Sequence, residues 1–173
     1  GALAPDGSYD RSATIMLPDG LSGTAFAVIT TGSGVYEFQA AGNNQGVSNA
    51  VQVALTPSPD LKVASISAPA TAFEGDKIDV TWNVSNVGSG EASGVWVDQV
   101  LLRKLGSFDA PTILLGTFMN DRMVGPGNSY GRTEQVLLPS KIEGSYQILV
   151  VTNQTRSLYE HGAAASNNTI ADD

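Results

Sequence analysis

One histidine, seventeen Asp and Glu, nine Lys and Arg, and no cysteine set the chemistry open to this 173-residue chain. The absence of Cys excludes disulfides, thiolate zinc sites and cysteine nucleophiles together. His161 sits in a Gly/Ala-rich stretch, and no Gly-x-Ser-x-Gly elbow accompanies it. A triad needs a nucleophile and an orienting acid around its base, and neither is signalled. No two acids fall at strand ends in the manner of a glycosidase pair. The chain therefore reads as a non-enzyme, with no residue assigned a catalytic, cofactor-binding or metal-binding role.

Oxygen-rich clusters leave calcium as the one ion to weigh. Tyr36-Glu37 with Asn43-Asn44, and Tyr159-Glu160 with Asn167-Asn168, offer oxygens in matching loops. Calcium takes six to eight oxygens, yet each cluster holds one carboxylate and no EF-hand loop is present. The preferred reading is that the paired Asn side chains bond to the loop backbone. Asp98 stands out differently: on a strand over 95–102 it shares a face with Trp96, Val100 and Leu102. A carboxylate on an apolar face needs partners, so it reads as a buried anchor for loop N–H groups or, less simply, as a calcium ligand. Tyr9/Arg11 and Tyr130/Arg132 recur at i, i+2, each pair on one strand face. Such pairs could bind sugar, but they more commonly stabilise sheets by cross-strand and cation–π packing.

A net charge of −8 without a basic cluster argues against nucleic acid as a partner. No run approaches the roughly 18 apolar residues of a membrane-spanning helix. Sequons at Asn83, Asn153 and Asn167 are of the short kind that arise by chance in an Asn/Ser/Thr-rich chain.

The elements that must position these residues are strands. Nowhere does an i, i+3, i+4 apolar pattern persist; alternation bounded by Gly, Pro, Asn and Asp recurs instead. In Lys77–Ser85, residues Ile78, Val80, Trp82 and Val84 take one face, and Asp79, Thr81, Asn83 and Ser85 the other. Further strands are expected at Leu61–Ser67, Val95–Arg103, Ile113–Phe118, Tyr130–Leu138, Gly144–Thr152 and from Asn168 onward. Seven short strands in this space predict an all-β, immunoglobulin-like antiparallel sandwich.

The chain also repeats itself. Pro5, Tyr9, Arg11 and Pro18 return as Pro126, Tyr130, Arg132 and Pro139 at one offset, 126 − 5 = 121. Tyr36-Glu37 return as Tyr159-Glu160 (159 − 36 = 123), and Asn43-Asn44 as Asn167-Asn168 (167 − 43 = 124). A period near 120 residues is that of a tandem domain. Residues 1–57 thus read as the C-terminal half of a preceding repeat, with strands expected at Ser8–Leu17, Thr24–Thr31 and Val47–Leu55. Residues 58–173 read as a nearly complete repeat truncated in its last strand. Thr56-Pro57-Ser58-Pro59-Asp60 would join them as a semi-rigid connection. Ile15, Leu17, Phe26, Val28, Val51 and Val53 then need an apolar partner that residues 1–57 lack.

The opening Pro59-Asp60-Leu61-Lys62-Val63, the strand Trp82-Asn83-Val84-Ser85-Asn86-Val87-Gly88, the strand Trp96–Leu102, the Ser-Tyr-x-Arg strand and the Tyr-Glu…Asn-Asn close carry a family resemblance. Together they resemble CARDB, the cell-adhesion-related domain of bacteria, over residues 58–173, with residues 1–57 as half of an earlier copy. The resemblance implies a sandwich repeated in tandem in large extracellular bacterial proteins. It further implies a structural or adhesive role at the bacterial surface or in secretion, as a rod-like spacer or adhesion module. Expected partners are neighbouring repeats, other surface proteins or glycans. Two alternatives stand beside it: an accessory carbohydrate-binding domain of a secreted enzyme, and a calcium-stiffened adhesin module. The resemblance transfers no catalytic residue.

Overall fold

The structure, a computed structural model, describes residues 3–32, 34, 36, 41–106 and 111–172. The chain divides into two compact units, Gly1–Leu55 and Thr56–Asp173.

In the second unit, alternating side chains build two facing antiparallel sheets. Strands β5 (Leu61–Ser67), β6 (Lys77–Asn86) and β9 (Ser129–Leu137) form one, in the order β5-β6-β9. Strands β7 (Trp96–Lys104), β8 (Ile113–Asn120), β10 (Tyr146–Val151) and β11 (Thr169–Ala171) form the other, in the order β11-β10-β7-β8. Seven strands in a three-plus-four arrangement make the immunoglobulin-like sandwich that the alternation predicts. On β6, the Ile78, Val80, Trp82 and Val84 face is buried. On β7, Trp96, Asp98, Val100 and Leu102 point inward together. These faces meet in one core with Leu61, Val63, Val136, Ile148 and Val150. Trp82 packs on Phe118 at 5.5 Å between ring centroids, and Trp96 on Tyr130 at 6.0 Å, so aromatic pairs bridge the sheets.

Thr56–Asp60 is part of this second unit. Gly90 N donates to Ser58 O at 2.9 Å, and Val87 N to Asp60 O at 2.8 Å. The approach is close because residues 88 and 90 lack side chains: a Cβ on Gly88 would meet Ser58 O at 2.5 Å, and one on Gly90 would meet Pro57 O at 2.4 Å. The two prolines are thus pinned along a turn, which is a firmer arrangement than an extended connector.

The first unit holds two short strand pairs. β1 (Gly23–Ala25) pairs with β4 (Val51–Val53), and β2 (Val28–Thr30) with β3 (Gln45–Val47), both antiparallel. Ser8–Leu17, expected as a strand, forms none. Its counterpart β9 is held by β6 over nine register pairs, and among the described residues the first unit has no strand to play that part. Ile15, Leu17, Phe26, Val28 and Val51 are exposed, and Val53 is half-buried.

Candidate functional site

The inward face of β7 places Asp98 in the middle of the sandwich with no solvent exposure. Its carboxyl group is held from both sheets. From β6, Trp82 Nε1 donates to Oδ2 at 3.0 Å. From β9, the Tyr130 hydroxyl lies 3.0 Å from Oδ1 and 2.9 Å from Oδ2. Thr152, just past β10, donates to Oδ1 at 2.8 Å. Trp96 Nε1 in turn donates to the Tyr130 hydroxyl at 3.1 Å. Burial, and after it the charge of Asp98, push the Tyr130 hydroxyl far above the ordinary tyrosine value. The cluster is a cross-sheet clamp of one acid, two indoles and two hydroxyls.

Glu160 forms a second clamp nearby in the fold. Leu61 N on β5 donates to Oε1 at 2.6 Å, while Asn153 Nδ2 and Asn168 Nδ2 donate to Oε2 at 2.8 and 2.5 Å. Asn153 is shaped for this by a left-handed backbone (φ 46°), and its side chain also bonds Leu158 through both N and O. A third polar centre, Asn86, accepts from Asp60 N and Gly88 N and donates to Gly90 O and Val124 O. Asp98, Glu160, Asn153 and Asn86 thus meet partners that burial would otherwise make costly to lack, while Asn168 Oδ1 is buried without one.

The CARDB family model matches residues 58–172. The chain belongs to the CARDB family. The crystal structure of a CARDB domain from Pyrococcus furiosus in complex with di-metal ions is 20% identical, covering 67% of this chain and 86% of that one, with a TM-score of 0.49. A solution NMR structure of the Pyrococcus furiosus domain is also 20% identical, covering 68% and 94%, at 0.49. β-Glucosidase 3B from Thermotoga neapolitana in complex with α-D-glucose is 18% identical, covering 65% of this chain but 16% of that one, at 0.42. No curated protein matches the chain.

Within this CARDB domain, Asp98 anchors side chains of the opposite sheet, where an anchor for loop N–H groups was expected. A buried acid that does hold a backbone N–H is Glu160. Its Asn-Asn partner from the sequence cluster is split in use: Asn168 bonds Glu160, and Asn167 Nδ2 donates to Asp60 Oδ1 at 2.9 Å. In the earlier cluster, Glu37 lies outside the described residues. Among the described residues, no three His, Cys, Asp or Glu side chains stand close enough to share a metal ion. Tyr130 and Arg132 part company: Tyr130 joins the Asp98 clamp, while Arg132 stacks 5.2 Å from the Phe118 ring centroid and pairs with Glu134 at 2.7 Å. His161 sits edge-on to Tyr159. Of the sequons, Asn153 is buried with its amide fully engaged. Sequence reasoning met Asn86 only within the family motif and Asn153 only as a sequon, and gave no role to Thr152, which repeats Thr31 at the offset of 121.

A groove of about 590 Å³ lies elsewhere, lined by Phe73, Glu74, Leu138, Ile142, Glu143 and Tyr146 among others. Phe73 is exposed there.

Proposed function

We propose that the chain is a non-catalytic structural segment of a large bacterial surface or secreted protein, in which CARDB sandwiches follow one another as a spacer or adhesive rod. The observation that carries this reading is the Asp98 clamp. Its bonds from Trp82 and Tyr130 run between sheets, and both oxygens of the carboxyl group are taken by the protein's own donors. A sandwich cross-tied in this way resists sliding of one sheet over the other, which is what a spacer under tension requires. Small-angle scattering on tracts of two, three and four consecutive repeats tests it. Maximum dimension should rise linearly with repeat number; a near-constant dimension contradicts the rod.

A second reading, accessory carbohydrate binding, draws on the groove beside Phe73 and Tyr146, because exposed rings stack on sugar faces while carboxylates accept sugar hydroxyls. Retention on a glycan array that Phe73→Ala abolishes would favour it over the spacer.

A further inference from the structure

Residues 4–48 repeat residues 125–172 in backbone detail as well as in sequence. Left-handed φ angles occur at residues 6, 20, 23 and 32, and again at 127, 141, 144 and 153, each pair 121 apart. The register Val28↔Val47 on β2–β3 returns as Leu149↔Ala171 on β10–β11. Thr31 N donates to Asn44 O at 2.8 Å, as Thr152 N does to Asn168 O at 2.9 Å. Even a side-chain substitute for a ladder bond is kept: Ala27 N donates to Ser48 Oγ, and Ile148 N to Asp172 Oδ1.

Burial is what differs. Tyr9 is 63% exposed and Tyr130 5%; Ile15 is 71% exposed and Val136 3%; Ile29 is 65% exposed and Val150 0%. In the second unit, what buries this face is residues 58–124. There, β7 also occupies the edge of β10 that β11 leaves free, whereas among the described residues β2 pairs with β3 alone. Tyr9 and Thr31 stand where Tyr130 and Thr152 receive Asp98.

We propose that residues 4–48 are a receiving half-sandwich, a seat for a β-segment of the same kind as residues 58–124. A strand like Trp96–Lys104 pairs along the open edge of β2, and its inward carboxylate takes the hydroxyls of Tyr9 and Thr31. The occupant is a further such segment supplied ahead of residue 4 in chain order. A second copy's residues 58–124 are already spent, since their Asp98 is buried and bonded within its own sandwich. The proposal rests on the reading of consecutive repeats, and the two fail separately: collapsed scattering removes the rod and leaves the result below standing.

The test is a chain in which a copy of residues 58–124 is placed directly before Ala4 of the full chain, followed by amide hydrogen exchange. Exchange at Val28–Thr30 should slow by about 100-fold or more relative to the unaltered chain, towards that of Leu149–Val151. Asp→Ala at the Asp98 position of the added copy alone should cancel most of the gain and leave Leu149–Val151 unchanged. Unaltered exchange at Val28–Thr30 overturns the seat, whether the added segment pairs elsewhere or stays unfolded. Protection of Val28–Thr30 that appears in the unaltered chain only as it dimerises assigns the occupant to a second copy and overturns the proposal. An added-copy Asp→Ala without effect overturns the hydroxyl–carboxylate contact.

Discussion

Asp98 draws its donors from 16, 32 and 54 residues away, at Trp82, Tyr130 and Thr152. Removing the acid strands an indole N–H and two hydroxyls inside the core, and a buried polar group without a partner is costly. Asp98→Ala is expected to lower unfolding free energy by about 3–5 kcal/mol, read as a shifted denaturant midpoint at unchanged slope. Tyr130 gives the clamp a pH dependence. Its proton is held in the folded chain by burial and by the Asp98 charge, and released near pH 10 in the unfolded one. Stability is therefore complete below about pH 10 and falls by about 1.4 kcal/mol per pH unit above it. Tyr130→Phe should cost about 1–2 kcal/mol at neutral pH and flatten that alkaline slope.

Among the elements, paired strands of the second unit were readable from alternation, whereas the expected single strands Thr24–Thr31 and Val47–Leu55 are each broken into short ones, β1 and β2, β3 and β4. Leu61–Ser67 falls where expected, and β6, β7 and β9 fall within a residue or so at each end. Ser8–Leu17 has the same alternation as β9 and pairs with nothing, because a strand needs a neighbour as well as a pattern. The odd residue on β7's apolar face was legible too, since Asp98 breaks a hydrophobic run. Its partners were not, because Trp82 and Tyr130 also look like ordinary core aromatics and reach Asp98 only across the sheets. Gly88 and Gly90 let Pro57–Asp60 approach, a task that glycines bounding alternating runs do not reveal in the sequence. Gly90→Ala places a Cβ against the Pro57 carbonyl and should destabilise the second unit by roughly 1–3 kcal/mol. Limited proteolysis checks the mechanism: cleavage should rise at Thr56–Asp60 and stay unchanged at the Gly125–Asn128 turn.

At the scale of the whole molecule, one unit is a closed CARDB sandwich, and the other holds a strand pair, β2–β3, that matches β10–β11. Ile15, Phe26 and Ile29 are exposed in the first unit, where Val136 and Val150 are buried in the second. What the sequence left open was how closely the first unit follows the fold of the second despite its missing half. Residue-by-residue amide exchange on the unaltered chain tests this division most directly. Ile78–Val84, Trp96–Leu102 and Ile148–Val150 should exchange only through global unfolding of the second unit. Val28–Thr30 and Gln45–Val47 should exchange at least about 100-fold faster, through local opening. Equal protection of both sets, lost in one cooperative transition, would contradict the division into a complete and an incomplete sandwich.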